Sequence, residues 1–296
     1  MRPFMATALA VLEQDQRALL AWGAARRRDL PWRRTRDPWS VLVSETMLQQ
    51  TQVSRVAPRY AAFLARFPTA EACAAASAGD VLRLWSGLGY NGRAVRLHRA
   101  ANMVTDQLGG RFPATLDELR ALPGIGPYTA RAVLAFAFEA DVAVVDTNVS
   151  RVLARWHGSP SRPAQAQERA DAALPAGQAW AWNQSLMDLG ATVCSPRGPE
   201  CVECPLRRSC RWNRAGRAGP DPGSIPAGSR QARFDGSDRQ GRGRLVHALA
   251  RGPIDAETVP SVMGWPDDPA RAARVVDALV DDGLAVREVS GSYRLP

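Results

Sequence analysis

Apolar residues recur at helical spacing along most of the first 212 positions and almost nowhere alternate. The pattern predicts helices over roughly 8 to 25, 38 to 50, 53 to 66, 69 to 85, 93 to 108, 115 to 121, 128 to 138, 147 to 157, 164 to 173 and 178 to 190. Asp37-Pro38 opens the second of these, a capping residue followed by the ring that suits a first helical turn, and Glu45 lies inside it. The stretch 213–229, with Gly-Pro-Asp-Pro-Gly-Ser-Ile-Pro-Ala-Gly-Ser, has no period and reads as a linker. Beyond it, Arg239 to Ala250 predicts one helix, and Ala272, Val275, Val276, Leu279 and Val280 form the stripe of another that stops at Gly283. Residues 284–295 read as a hairpin around Ser290-Gly291. The expected fold is mainly α: a helical domain over 1–212, a linker over 213–229 and a small winged-helix-like domain over 230–296. No internal repeat is visible.

Leu122-Pro-Gly-Ile-Gly-Pro-Tyr128 interrupts the helical pattern with a tight turn. Gly124 and Gly126 bracket Ile125, so unhindered backbone N–H groups at a helix start can face an anion, and a nucleic-acid phosphate fits such a nest. The apolar run 133–138 anchors the following helix and sets the chain to deliver Asp146 at a fixed distance from the gripped backbone. Asp146, before Thr-Asn-Val-Ser, is also a good N-cap, and capping would orient its carboxylate. Glu45 shares a helix face with Val41, Leu42 and Leu48. Apolar surroundings favour the protonated form and suit it to act as an acid; a solvated or salt-bridged glutamate is the plainer alternative.

Charge narrows the partner. The chain carries a formal +9, and all 38 of its basic residues are arginine. Residues 1–212 hold 26 arginines against 18 acidic residues, whereas 213–296 hold 12 against 11, so a polyanion-facing surface belongs to the first part. A genome rich in G and C would also inflate arginine. Without lysine, a Schiff-base route to strand nicking is left only the terminal amine. No segment approaches the roughly 20 apolar residues of a membrane span, and no cleavage site follows the N-terminal apolar run, so the expected location is the cytoplasm, on the nucleoid.

Four of the five cysteines follow the pattern Cys194-x6-Cys201-x2-Cys204-x5-Cys210, too dense for chance and suited to metal. Structural zinc favours two matched short knuckles, and only one x2 pair is present; a 4Fe-4S cluster, which needs one thiolate at each corner, fits better than zinc or disulfides. Its expected role is to fold the loop that holds Arg197, Arg207, Arg208 and Arg211 against DNA. Cys73 reads as a small packed residue.

Ser44-Glu45-Thr-Met-Leu-Gln-Gln-Thr-Gln-Val, Gly87-Leu-Gly-Tyr90, the hairpin, Val145-Asp-Thr-Asn-Val and the cysteine loop occur in an order that resembles the MutY family of adenine DNA glycosylases, over roughly residues 28 to 212. The hairpin, Asp146 and the cysteines are shared with endonuclease III relatives; Ser-Glu-x-Met-Leu-Gln-Gln-Thr and Tyr128, which stands where endonuclease III has its lyase lysine, point to MutY. The resemblance implies a monofunctional, monomeric helix-hairpin-helix glycosylase that excises adenine mispaired with 8-oxoguanine or guanine in double-stranded DNA. Two carboxylates in unlike surroundings suit N-glycosidic cleavage: Glu45 would protonate the departing purine, Asp146 would stay ionised beside the oxocarbenium-like sugar, and Tyr128 and Asn148 would orient sugar or water. Base removal also needs an extruded nucleotide and a filler for the gap. By the same resemblance, Gln50 and Tyr90 wedge into the stack with Leu88 beside them, and Leu30, Trp32, Arg33 and Gln184 wall the adenine pocket.

Three departures stand out. Tyr90 is followed by Asn91-Gly92 where the family often has another aromatic, Thr147 replaces a common glycine, and the end of the chain does not resemble the MutT-like domain that helps most members read 8-oxoguanine. The competing readings are a thymine or uracil mismatch glycosylase on the same scaffold and a non-catalytic iron–sulfur DNA-binding regulator.

Overall fold

A computed structural model describes residues 2–224 and 233–296. In chain order its helices are α1 (Arg2–Arg26), α2 (Pro38–Leu48), α3 (Val53–Arg66), α4 (Ala70–Ala74), α5 (Ala78–Trp85), α6 (Gly92–Leu108), α7 (Leu116–Ala121) and α8 (Pro127–Ala137). They continue with α9 (Thr147–His157), α10 (Pro163–Ala173), α11 (Ala179–Thr192), α12 (Arg211–Arg214), α13 (Asp238–Leu249), α14 (Val259–Met263) and α15 (Pro269–Asp281). Three short strands, β1 (Ile254–Asp255), β2 (Val286–Arg287) and β3 (Ser292–Arg294), lie in the terminal segment. None of the described helices is long and apolar enough to cross a membrane.

Contacts divide the chain into two units, each assembled from separate stretches: Met1–Pro38, Ala114–Leu116 and Gly126–Gly228 in one, Trp39–Pro113, Asp117–Ile125 and Ser229–Pro296 in the other. In the first, α11 packs against α1, α8 and α9, and α9 also carries α10 and α12. Leu19 of α1, Val149 and Leu153 of α9, and Trp182, Leu186 and Leu189 of α11 close its core. Each such side chain contributes about 1.5–3 kcal/mol by leaving water. Asn183 lies inside this core with every polar atom used: Oδ1 accepts from the Val144 N–H at 2.8 Å, and Nδ2 donates to the carbonyls of Val142 at 3.0 Å and Ala179 at 2.9 Å. These bonds satisfy the extended backbone that leads into Asp146 and fix where α9 begins.

In the second unit, α2 is buried over nine consecutive residues, Trp39 to Met47, and thus on every side rather than along one face. Ser44 and Thr46 tolerate this because their hydroxyls donate to the carbonyls of Val41 and Leu42 within the helix, both at 2.8 Å. Trp39, Phe63, Phe67 and Trp85 form a cluster of tilted and edge-on rings, and the Trp39 indole N–H donates to the Phe67 carbonyl at 2.9 Å. The single helix expected over 69–85 is two. Thr69 caps α4 by accepting from Ala72 N–H, and Ser77 caps α5 by accepting from Asp80 N–H; the second cap ends the run of alanines.

The terminal segment has the expected winged-helix order with two additions, β1 and α14, too short and too broken by Pro253 and Pro260 to give a period. Its antiparallel sheet runs β1-β3-β2, with Ile254 opposite Tyr293 and Val286 opposite Arg294. Within its unit it is tied to α5 and the turn that follows: the Gly79 N–H donates to the Pro296 carbonyl at 2.8 Å, and the Ser86 hydroxyl meets His247 Nδ1 at 3.0 Å. Of the expected linker, 225–229 lie outside the described residues. Its beginning is ordered, because Arg214 closes α12 and Asp221 is paired with Arg155.

Candidate active site

Asp146 caps α9. Its Oδ1 accepts from the Val149 N–H at 2.7 Å and its Oδ2 from Asn148 Nδ2 at 3.2 Å, so the half-buried carboxylate is held by the helix it starts. Asn148 in turn accepts from Arg151 at 2.7 Å, and Arg151 continues to the carbonyls of Gly190 at 2.7 Å and Cys194 at 2.8 Å. A bonded chain therefore runs from the carboxylate to the first residue of the cysteine loop. Gly190 makes this possible, since a Cβ there would lie 2.7 Å from that of Asn148. Tyr128, half-buried at the start of α8, belongs to the same unit.

Leu30, Trp32, Arg33 and Gln184 also fall in this unit, and the last three are buried. Arg33 sits on a short 3-10 turn begun by Pro31 and is gripped by Asp188, which follows Gln184 by one helical turn on α11. Both Nη atoms bond the carboxylate, at 2.7 and 2.9 Å, and Arg28 adds a third guanidinium bond at 2.6 Å. Burial pushes the Asp188 carboxyl up, but the bonds and charge of Arg33 and then Arg28 outweigh it and leave the group below its ordinary value. Among the described residues the Arg33 Nε finds no partner. Arg27 and Arg36 stack on the Trp180 ring, at 4.6 and 4.2 Å from its centroid.

Glu45, Gln50, Leu88, Tyr90 and Gly124 belong to the second unit. Glu45 is buried inside α2. Gln50 and Tyr90 are exposed and adopt left-handed backbone, φ 55° and 48°, which side chains other than glycine rarely do. Leu88, expected beside them, has its side chain buried. Arg93 joins the segments around these residues: it donates to the carbonyls of Thr46, Met47, Gln49, Leu88 and Gly89 and to the Thr51 hydroxyl. Burial lowers its pKa to about 10, so it remains a cation at neutral pH. In the hairpin, Gly124 takes φ 80°, Ile125 N–H closes the turn on Leu122 O, and Gly126 precedes Pro127 at the start of α8 with its own N–H unblocked by a side chain.

The four thiols of the loop line one pocket with Arg155, Arg207 and Trp212. Arg155, buried and stacked on Trp212, donates to Cys194 Sγ at 3.3 Å, to the Ser195 carbonyl at 2.8 Å and to Asp221 at 2.9 and 2.6 Å. Burial pushes the Cys204 thiol up to about 12 and raises Cys194 and Cys210. Among the described residues no group of three or more His, Cys, Asp or Glu side chains is arranged to hold a single metal ion. Cys73, in the second unit, is buried.

Neither Arg93, Arg151, Arg155 nor Asp221 is marked by any local sequence pattern. Only Asp188 carried a usable signal, its helical spacing from Gln184.

Residues 43–175 match the HhH-GPD superfamily base excision DNA repair protein family. The chain is 44% identical over 285 residues to the adenine DNA glycosylase of Mycolicibacterium smegmatis, covering 94% of each protein. It is 41% identical over 213 residues to that of Homo sapiens, covering 66% of this chain and 38% of the human protein. Among solved structures, a thermostable thymine-DNA glycosylase superposes with a TM-score of 0.67 at 30% identity, covering 70% of this chain and 99% of the other. Endonuclease III trapped as a covalent intermediate with DNA shares the fold, with a TM-score of 0.60 at 22% identity and coverage of 70% and 98%.

Proposed function

The chain belongs to the adenine DNA glycosylases of the HhH-GPD superfamily, and we propose on that footing that it removes adenine mispaired with 8-oxoguanine or guanine from double-stranded DNA. The near full-length similarity to proteins of that name carries the reading. In the proposed reaction Glu45, shielded from water in α2, gives a proton to the purine ring; the bond from the sugar to N9 breaks and its electrons stay with the departing base. Asp146, oriented by its capping bonds, faces the cation that develops on the sugar, and Tyr128 and Asn148 orient the sugar or the water that completes hydrolysis. Arg33 and Gln184, with Leu30 and Trp32, line the pocket for the base; the turn of Gly124 and Gly126 grips a phosphate; Gln50 and Tyr90 fill the stack.

A 4Fe-4S cluster is the proposed cofactor, held by Cys194, Cys201, Cys204 and Cys210. The four cysteines line one pocket and would supply one thiolate for each iron of such a cluster. When bound, it would cross-link the loop, and no step of base removal runs through it.

The fold shared with a thymine-DNA glycosylase supports a second reading, excision of mismatched pyrimidines. The buried Glu45 favours the first, because a leaving purine gains from ring protonation. Single-turnover assays on duplexes with A opposite 8-oxoguanine, A opposite G, T opposite G and U opposite G separate them. Adenine release is expected from the first two, with strand breaks mainly after alkali and little covalent enzyme trapped by borohydride, since lysine is absent. Asp146→Asn keeps a side chain able to cap and removes the charge, so it should bind the mismatch normally and slow excision by at least about a hundredfold. Faster loss of T or U than of A moves the chain to the second reading.

A further inference from the structure

The geometry points to Arg93 as the positioning residue of the DNA wedge, the group that holds Gln50 and Tyr90 in one fixed arrangement before DNA arrives. The inference rests on the reading of those two side chains as the wedge. They lie far apart in sequence, on separate segments of the second unit. Gln50 follows the end of α2, where the last carbonyls have no helical partner, and Tyr90 ends the turn after α5. The Arg93 guanidinium reaches both. Its Nη1 donates to the carbonyls of Thr46, Met47 and Gln49 at 2.8, 3.0 and 2.6 Å; its Nη2 donates to Leu88 and Gly89 at 3.3 and 3.0 Å and to Thr51 Oγ1 at 3.1 Å. The Arg93 backbone N–H donates to the Tyr90 carbonyl at 2.9 Å.

Two features show that this is more than core filling. First, Arg93 is buried with no carboxylate partner among the described residues, so its charge is solvated by backbone dipoles and one hydroxyl. A buried cation with no counter-ion costs stability unless its donors are used, and a hydrophobic residue would fill the same space without that cost. Second, the acceptors it selects flank the two exposed residues with left-handed backbone, 49 and 51 on either side of Gln50 and 88 and 89 before Tyr90. Such conformations persist where surrounding structure over-determines them. The Trp85 and Tyr90 rings flank the guanidinium at 5.4 and 5.5 Å, and the Trp85 indole N–H secures Gly89 O at 3.2 Å. A planar fork with five N–H donors can meet acceptors from two directions at once; a lysine, with three donors on one point, cannot. A wedge ordered in advance loses little freedom when it enters the stack.

The test uses the full chain with Arg93→Lys and, as a variant that leaves the guanidinium in place, Thr51→Val. Thr51 Oγ1 lies 3.1 Å from Arg93 Nη2 and 3.4 Å from the Leu88 carbonyl, so its loss loosens the same junction. Extrusion is followed by the fluorescence of 2-aminopurine in place of the target adenine, excision by single turnover, and folding by thermal melting. Arg93→Lys is expected to slow extrusion at least tenfold, and Thr51→Val to slow it less with unchanged melting. Excision by Arg93→Lys should recover most of its loss when adenine lies opposite an abasic site, where extrusion costs little. Added to Tyr90→Ala, Arg93→Lys should contribute less than its separate factor. Wild-type extrusion by both variants, equal losses on the two substrates, or fully multiplicative effects with Tyr90→Ala would overturn the role while leaving adenine excision by the unmodified chain intact. If the unmodified chain releases no adenine from any duplex, the reading beneath the role fails and the role with it.

Discussion

Asp188 is marked in the sequence only by its helical spacing from Gln184, yet it decides where Arg33 can be. Its side chain is 1% exposed and that of Arg33 is 5% exposed, so each leaves the other buried and unpaired if removed. Breaking such a pair costs about 3–5 kcal/mol. Asp188→Asn is therefore expected to lower urea-unfolding stability by that order at neutral pH and to weaken excision through a displaced Arg33. Because the folded carboxyl is held below its ordinary value, its stabilisation is complete above the unfolded pKa of about 4 and fades as pH falls through the lower folded value. The wild type should lose more stability than Asp188→Asn on acidification below that point; parallel acid limbs would show that the pair contributes nothing. Asp146, by contrast, was legible, because a cap announces itself in the residues that follow it. Arg33 was reached only through its resemblance to a family pattern. Its partner lies 155 residues away, and no local rule connects them.

At the scale of elements, long periodic runs gave their helices away and interruptions did not. The stretch 69–85 reads as one helix by apolar spacing, and the choice between one helix and two lay with a single hydroxyl, that of Ser77. The hairpin was legible because its two glycines and two prolines leave few other conformations. The linker was misjudged at its start for the opposite reason: Pro and Gly exclude regular structure without excluding packing, and Asp221 is held by Arg155. That pair makes the cysteine loop and the segment after it one element. The expected cofactor content is about four irons per chain, with a brown colour, measured by iron analysis and visible absorbance on protein prepared without oxygen. Stoichiometric zinc in a colourless protein would replace the cluster with a single-ion site.

Across the whole molecule, the order of motifs was readable and the grouping of the chain was not. The terminal winged helix follows from two amphipathic helices and a hairpin, but its attachment to α5 runs through a backbone bond from Gly79 and a hydroxyl–imidazole contact, neither of which has a sequence signature. The left-handed backbone at Gln50 and Tyr90 has a consequence for the protein as a heat-labile object. Each such residue costs roughly 1–2 kcal/mol of strain, and glycine would release it while adding about 0.5–1 kcal/mol of unfolded-state freedom. Gln50→Gly is thus expected to melt at the same temperature as the wild type or up to a few degrees higher, although it discards a side chain proposed to enter DNA. A drop of several degrees in calorimetry would mean that the glutamine side chain holds the fold. With glycine melting no lower, selection for heat resistance alone would drift toward a sturdier protein that repairs less.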